Sequence, residues 1–187
     1  MSDKPRTPHA DALRLANELV ARLTPHVERI AIAGSVRRLK PFVGDVELLF
    51  VPKLADVADG LFDTVKESVT DHAIDAMLAD GALAKRPSKT GQFAWGALNK
   101  LAVHSATGIG VDLFCEPCAG DWWRSLVIRT GPKEMNLRLI DSAAKRKVRV
   151  HAYGHGLTDF GGSSIPCASE EEFFAICGVA YLPPDKR

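Results

Sequence analysis

Cysteine is scarce in this sequence. Four residues in 187, Cys115, Cys118, Cys167 and Cys177, are too few and too unevenly spaced for a disulfide framework. Cys115-Glu116-Pro117-Cys118 has the spacing of half a zinc site, but no second CxxC or HxxxH completes it, so partly buried free thiols are expected. No apolar run approaches the ~18 residues needed to cross a bilayer, and no segment has the layout of a signal peptide. Those absences argue against membrane-spanning and secreted classes and predict a cytoplasmic protein. Charge of one sign is lacking too: the net charge is +1, which does not by itself announce a nucleic-acid binder. His72, His104, His151 and His155 have no catalytic pairing, and there are no internal repeats or low-complexity segments.

What is present is ordinary in amount and uneven in place. Hydrophobic residues make up 46% and charged residues 25%, enough for one medium domain or two small ones with a proper core. Acids concentrate between Asp56 and Asp80 and at Glu170–Glu172; bases gather at Arg37–Lys40, Lys85–Lys89 and Lys133–Arg149. Apolar residues recur at helical spacing from His9 to Leu23, ending near Pro25. Leu54 to Leu83 reads as one or two helices stopped by Gly81. Short strand-like runs follow at Phe93–Leu98, Leu101–Ser105 and Ile109–Glu116. Helices are expected over Asp121–Ile128 and Lys133–Lys145, a strand over Val148–Tyr153, and a last helix from Ser169 to a stop at Gly178. Trp122 and Trp123 are read as packing at a domain interface rather than as base-stacking groups. A composition shift near Cys118 divides the chain into a sheet-bearing part, 1–118, and a smaller helical part, 119–187.

The chemistry concentrates between Ile30 and Val51: an apolar strand, Gly34-Ser35, a basic turn, then a second apolar strand opening with Asp45 and Glu47. A strand has a side-chain period of two, so both carboxylates leave one face. Paired acids on an apolar strand are costly unless a cation sits between them, and a divalent metal is the usual answer. Gly34 and Ser35 offer close backbone approach and a hydroxyl, which suit a phosphate. Asp112, between Val111 and Leu113, is a candidate third carboxylate, as two-metal sites commonly need one from a neighbouring strand.

These residues carry a resemblance. Gly34-Ser35-Val36-Arg37-Arg38, Gly44-Asp45-Val46-Glu47 and Val111-Asp112-Leu113 resemble the palm of the family X DNA polymerases, within the nucleotidyltransferase superfamily. Thr130-Gly131-Pro132-Lys133-Glu134-Met135-Asn136-Leu137-Arg138 is similar to the start of that family's thumb, and Glu171-Glu172-Phe173-Phe174 through Gly178, Tyr181 and Pro184 to its last helix and tail. The resemblance spans roughly Ala12 to Arg187 and leaves no room for a lyase domain or DNA-clamping fingers, as in minimal palm-plus-thumb members. It implies an α+β fold: a nucleotidyltransferase palm (mixed β-sheet with helices on one face) over 1–118, and a small α/β thumb-like part over 119–187. It implies a monomeric DNA-directed DNA polymerase adding dNMPs from dNTPs to a primer 3′-hydroxyl, on gapped or primer-template DNA, in repair or replication. Asp45 and Glu47 would hold two Mg²⁺ ions, with Mn²⁺ as a substitute, and Asp112 would complete the one at the primer hydroxyl. Ser35 and Arg38 would contact phosphates, with the Gly34 and Gly44 backbones close by, and Asn136 the incoming base. Lys85, Arg86, Lys89, Lys133 and Arg138 would form a basic rim for the DNA backbone.

The chain also departs from that pattern. Glu47 stands where Asp is usual, Ile128-Arg129 where many members carry Tyr-Phe against the ribose 2′-hydroxyl, and Ile140 where an arginine often checks the template base, which predicts lower fidelity. Gly110 replaces a polar residue that usually precedes the third Asp. Gly131-Pro132 is expected to be cis, since proline lowers the cost of that isomer. The rival readings are a template-independent nucleotidyltransferase acting on RNA, a protein or a small molecule, and a nucleic-acid-binding module with a degenerate site.

Overall fold

In a computed structural model, described over residues 6–59, 63–88 and 90–187, the chain opens with a two-residue strand, β1 (Thr7–Pro8). The first helix, α1 (His9–Leu23), buries Ala12, Leu15, Ala16, Leu19 and Leu23, one stripe at helical spacing. Strand β2 (Val27–Ile32) runs into the short helix α2 (Gly34–Arg37); β3 (Phe42–Val43) pairs back with β1. Then comes β4 (Asp45–Pro52).

The next stretch departs from the helical expectation for 54–83. Leu54–Asp59 (β5) and Asp63–Ser68 (β6) form an antiparallel hairpin in which Val57 faces Val65. Among the described residues of this stretch only Val69–Ala79 (α3) is helical, capped by the Ser68 hydroxyl accepting from the Asp71 amide at 3.0 Å. Leu54, Val57 and Val65 remain largely exposed, so their spacing records no buried helix face. Strands β7 (Leu83–Lys85), β8 (Asn99–His104) and β9 (Gly110–Cys115) follow. The expected strand over 93–98 is reduced to isolated bridges at Phe93 and Trp95.

The main sheet has five strands in the order β2-β4-β9-β8-β7. The β4–β9 pair is parallel and the other neighbours are antiparallel, so the sheet is mixed. Val46, Leu48 and Phe50 point to one face, where they meet α1 and α3 in the largest core cluster. Leu49 and Val51 point to the other, with Phe114, Trp122 and Leu126. The latter two come from α4 (Trp122–Thr130), which therefore covers only the far half of that second face. Trp122 is 2% exposed. The Arg29 guanidinium lies 4.4 Å and 4.5 Å from the Trp122 and Trp123 rings, so both tryptophans pack as expected.

The remainder has its own core. Helix α5 (Lys133–Lys145), a small hairpin of β10 (Val148–Val150) and β11 (Leu157–Asp159), and α6 (Glu170–Cys177) surround Leu139, Ala143, Leu157, Phe173 and Phe174. Ser169 caps α6 through the Glu172 amide, and Gly178 ends it in the left-handed conformation. Gly131-Pro132 is cis.

Candidate functional site

The site lies on the half of the second sheet face that α4 leaves uncovered. In the parallel β4–β9 pair, Asp45 faces Gly110 and Glu47 faces Asp112. The burial of both strands alternates at this end: Val46 and Val111 are fully buried, while Asp45, Glu47, Gly110 and Asp112 are half-buried on one face. Three carboxylates thus share a patch of adjacent strands. Burial pushes the Glu47 carboxyl up to about 7, with repulsion from Asp45 and Asp112 adding to it; Arg38 and Arg129 pull the other way. Burial is the first of these causes, so an ionised Glu47 is costly here despite the nearby arginines.

The Gly34 turn is laid directly on this patch. The Ala33 amide donates to the Glu47 carbonyl at 2.8 Å. Gly34 has φ +62°, and a Cβ there would come within 2.6 Å of the Glu47 carboxyl carbon, so only glycine allows the approach. Ser35 is half-buried one residue on, and Gly44 immediately precedes β4. Arg38 donates through Nη1 to the Thr130 carbonyl, while its buried Nε has no hydrogen-bond partner among the described residues. Arg37 donates to Thr130 Oγ1 at 2.7 Å and bidentately to Glu170 at 2.8 Å. Arg187 reaches the same carboxylate at 3.4 Å. Two consecutive arginines therefore join the glycine turn to the end of α4 and the start of α6. Asn136, in the first turns of α5, donates to the Ile128 carbonyl at 2.8 Å and leaves its buried Oδ1 without a partner among the described residues.

Two arginines escaped the motif reading of the acidic patch. Arg129 stacks 3.9 Å over Phe114 and 5.0 Å over Tyr153 and contributes positive charge at Glu47. Arg86, grouped by sequence with the DNA-facing bases, turns inward and donates to Asp112 Oδ1. The only linear hint of the second was Gly110, a missing side chain beside an acid. Of the other rim residues, Lys85, Lys133 and Arg138 are exposed, with Lys85 4.8 Å over the Trp95 ring. Lys89 lies outside the described residues. Cys115 and Cys118 are free thiols, and burial pushes Cys115 up to about 11.

As donors, Asp45, Glu47 and Asp112 form an all-oxygen, anionic set on two strands in register, which fits a hard divalent cation. Among the described residues no three ligand-type side chains form a finished metal cage. At Asp112 the positive charge comes from a guanidinium instead.

Comparison with known proteins agrees with this fold. Residues 125–187 match the family described as DNA polymerase beta thumb. Two solved structures of Leishmania infantum polymerase beta are similar over 98% of this chain. Its ternary P/T complex is 19% identical, with a TM-score of 0.74 and 77% of that chain covered. Its ternary gap complex is 18% identical, with a TM-score of 0.75 and 71% covered. No curated protein matches by sequence. At these identities the structural likeness is one of fold.

Proposed function

We propose that this chain, a family X polymerase-like protein with the polymerase beta fold and a polymerase beta thumb over residues 125–187, adds dNMPs from dNTPs to the 3′-hydroxyl of a DNA primer as a template directs. Short gaps in repair or replication are its substrates, and it works as a monomer with a palm over 1–118 and a thumb over 119–187. The observation that carries the reading is the patch itself: three carboxylates on register-paired strands, with a glycine turn laid against one of them.

In this reading Asp45, Glu47 and Asp112 would hold two Mg²⁺ ions, or Mn²⁺ in their place. The bound ions supply charge neutralisation for the attacking and leaving oxygens of phosphoryl transfer. The chain supplies the positioning. Gly34 and Gly44 let the backbone approach the triphosphate, Ser35 donates its hydroxyl to it, and Arg38, with its Nε lacking a partner, offers charge. Asn136 meets the incoming base with its unpartnered Oδ1. Lys85, Lys133 and Arg138 face the DNA backbone, with Lys89 expected beside them. Binding by so few contacts is weak, distributive and salt-sensitive. Among the described residues no helix is long and apolar enough to cross a membrane.

Primer extension with each dNTP alone, with Mg²⁺ and then Mn²⁺, on gapped and plain primer-templates, tests the proposal. Addition of the complementary nucleotide alone is expected. Addition irrespective of template would turn the reading to a template-independent transferase.

A further inference from the structure

The centre of the site is a square of four same-face positions: Asp45 and Glu47 on β4, Gly110 and Asp112 on β9. Three corners carry a carboxylate and the fourth has no side chain. Arg86 fills it from outside. Its backbone continues the β7–β8 ladder by one bond, the amide donating to the Leu101 carbonyl at 3.0 Å. Its side chain then crosses β8. There Nε donates to the Ala102 carbonyl at 2.9 Å, and Nη2 donates to Asp112 Oδ1. A Cβ on Gly110 would lie 3.4 Å from Arg86 Nε, 3.8 Å from its Cζ and 3.5 Å from the Asp45 Cβ. The guanidinium therefore occupies the space over Gly110, between Asp45 and Asp112, in contact with the third carboxylate.

We infer that Arg86 is a positioning residue for Asp112, supplying from a neighbouring strand the polar partner that Gly110 cannot; the inference rests on the polymerase reading of the same patch. A plain surface ion pair would join two mobile, well-exposed side chains and matter little. Here the arginine and aspartate side chains are 24% and 16% exposed, and the guanidinium is fixed at a second point by a backbone carbonyl. Such a partner sets which way a carboxylate oxygen points, and loss of partners of this kind weakens metal affinity or activity about 10–100-fold.

Arg86→Lys separates orientation from charge, because it keeps the cation and loses the planar two-point hold. The readout is Mn²⁺ binding to the free protein, followed by electron paramagnetic resonance with no nucleotide or DNA present. Arg86→Lys is expected to weaken that binding about tenfold or more, with the melting temperature essentially kept. The double variant Arg86→Ala, Gly110→Arg, which returns a guanidinium to the same corner, is expected to bind within about threefold of the wild type, inside the scatter such partner effects allow. Wild-type or tighter Mn²⁺ binding by Arg86→Lys overturns the inference. Should that variant fail to fold, the double variant decides alone: restored binding supports the role and lost binding overturns it. Failure of the metal-site reading on which it rests looks different, since Mn²⁺ binding would then be insensitive to Asp45→Asn and Glu47→Gln as well.

Discussion

Asp112 and Glu116 lie four residues apart, one within β9 and the other just beyond its end, and the two acids live in opposite worlds. Glu116 is 3% exposed and satisfied from every side: the Cys118 amide donates at 3.1 Å, Arg124 Nη2 at 3.0 Å, and the Ser125 hydroxyl as well. Arg124, 2% exposed, also holds the Ala152 carbonyl at 3.1 Å and Asp121 at 3.4 Å. That cluster is closed by hydrogen bonds and ties β9, α4 and the loop before β11 together. Asp112 instead stands half-buried among three acids on one sheet face, where burial first and repulsion from Asp45 and Asp112 second push Glu47 up to about 7. A buried cluster closed by its own hydrogen bonds holds a fold together, whereas carboxylates gathered half-buried on one sheet face, one of them with a raised pKa, are arranged for something that arrives later.

If that contrast is right, neutralising an acid should have opposite consequences at the two places. The largest effect is expected on activity: Asp45→Asn should lower nucleotide addition by more than about a hundredfold, beyond what loss of a ligand's supporting partner costs, while the protein melts no lower than the wild type. Next comes stability at the other cluster. Arg124→Ala leaves Glu116 buried and unpaired and should cost about 3–5 kcal/mol in denaturant unfolding. A cost under about 1 kcal/mol, the level of an exposed ion pair, would erase the distinction.

The pH dependence sharpens the comparison at an intermediate scale. Because Glu47 is raised in the folded metal-free protein, its contribution to stability is fully present below the ordinary carboxylate value of 4.5 and is lost as pH rises through about 7. Thermal melts of the metal-free protein should therefore fall from pH 5 to pH 8 by up to about 3 kcal/mol relative to Glu47→Gln. Added Mg²⁺ should stabilise the wild type more at pH 8 than at pH 6, since proton and metal compete for the same oxygens. Equal melting profiles for wild type and Glu47→Gln would contradict the raised Glu47 carboxyl. The smallest expected effects belong to the exposed rim. Lys133→Ala and Arg138→Ala should each lower the slope of log affinity for DNA against log salt by about one, with no change in base preference.

Much of this was legible in the chain. The α1 and α5 boundaries, the stop at Gly178 and the shared face of Asp45 and Glu47 follow from apolar period, capping chemistry and strand alternation. The hairpin over 54–68 did not, because Leu54, Val57 and Val65 carry helix-compatible spacing while cross-strand pairing, a non-local interaction, decides the outcome. The short strand over 93–98 failed for a related reason: Trp95 bridges Lys100 across a turn in which the Gly96 amide bonds to the Asn99 carbonyl, leaving no length to pair. Arg86 on Asp112 was out of reach, since 26 residues separate the two and only the sheet order brings them together.

The central claim is that the carboxylate patch performs metal-dependent, templated nucleotide addition. Single-turnover filling of a one-nucleotide gap, with wild type and Asp112→Asn compared in Mg²⁺, tests it most directly. The account predicts insertion of the complementary dNMP by the wild type, abolished by chelation and lost in Asp112→Asn while that variant stays folded. Insertion that persists in Asp112→Asn, or a well-folded wild type that adds nothing to gapped DNA, would contradict it.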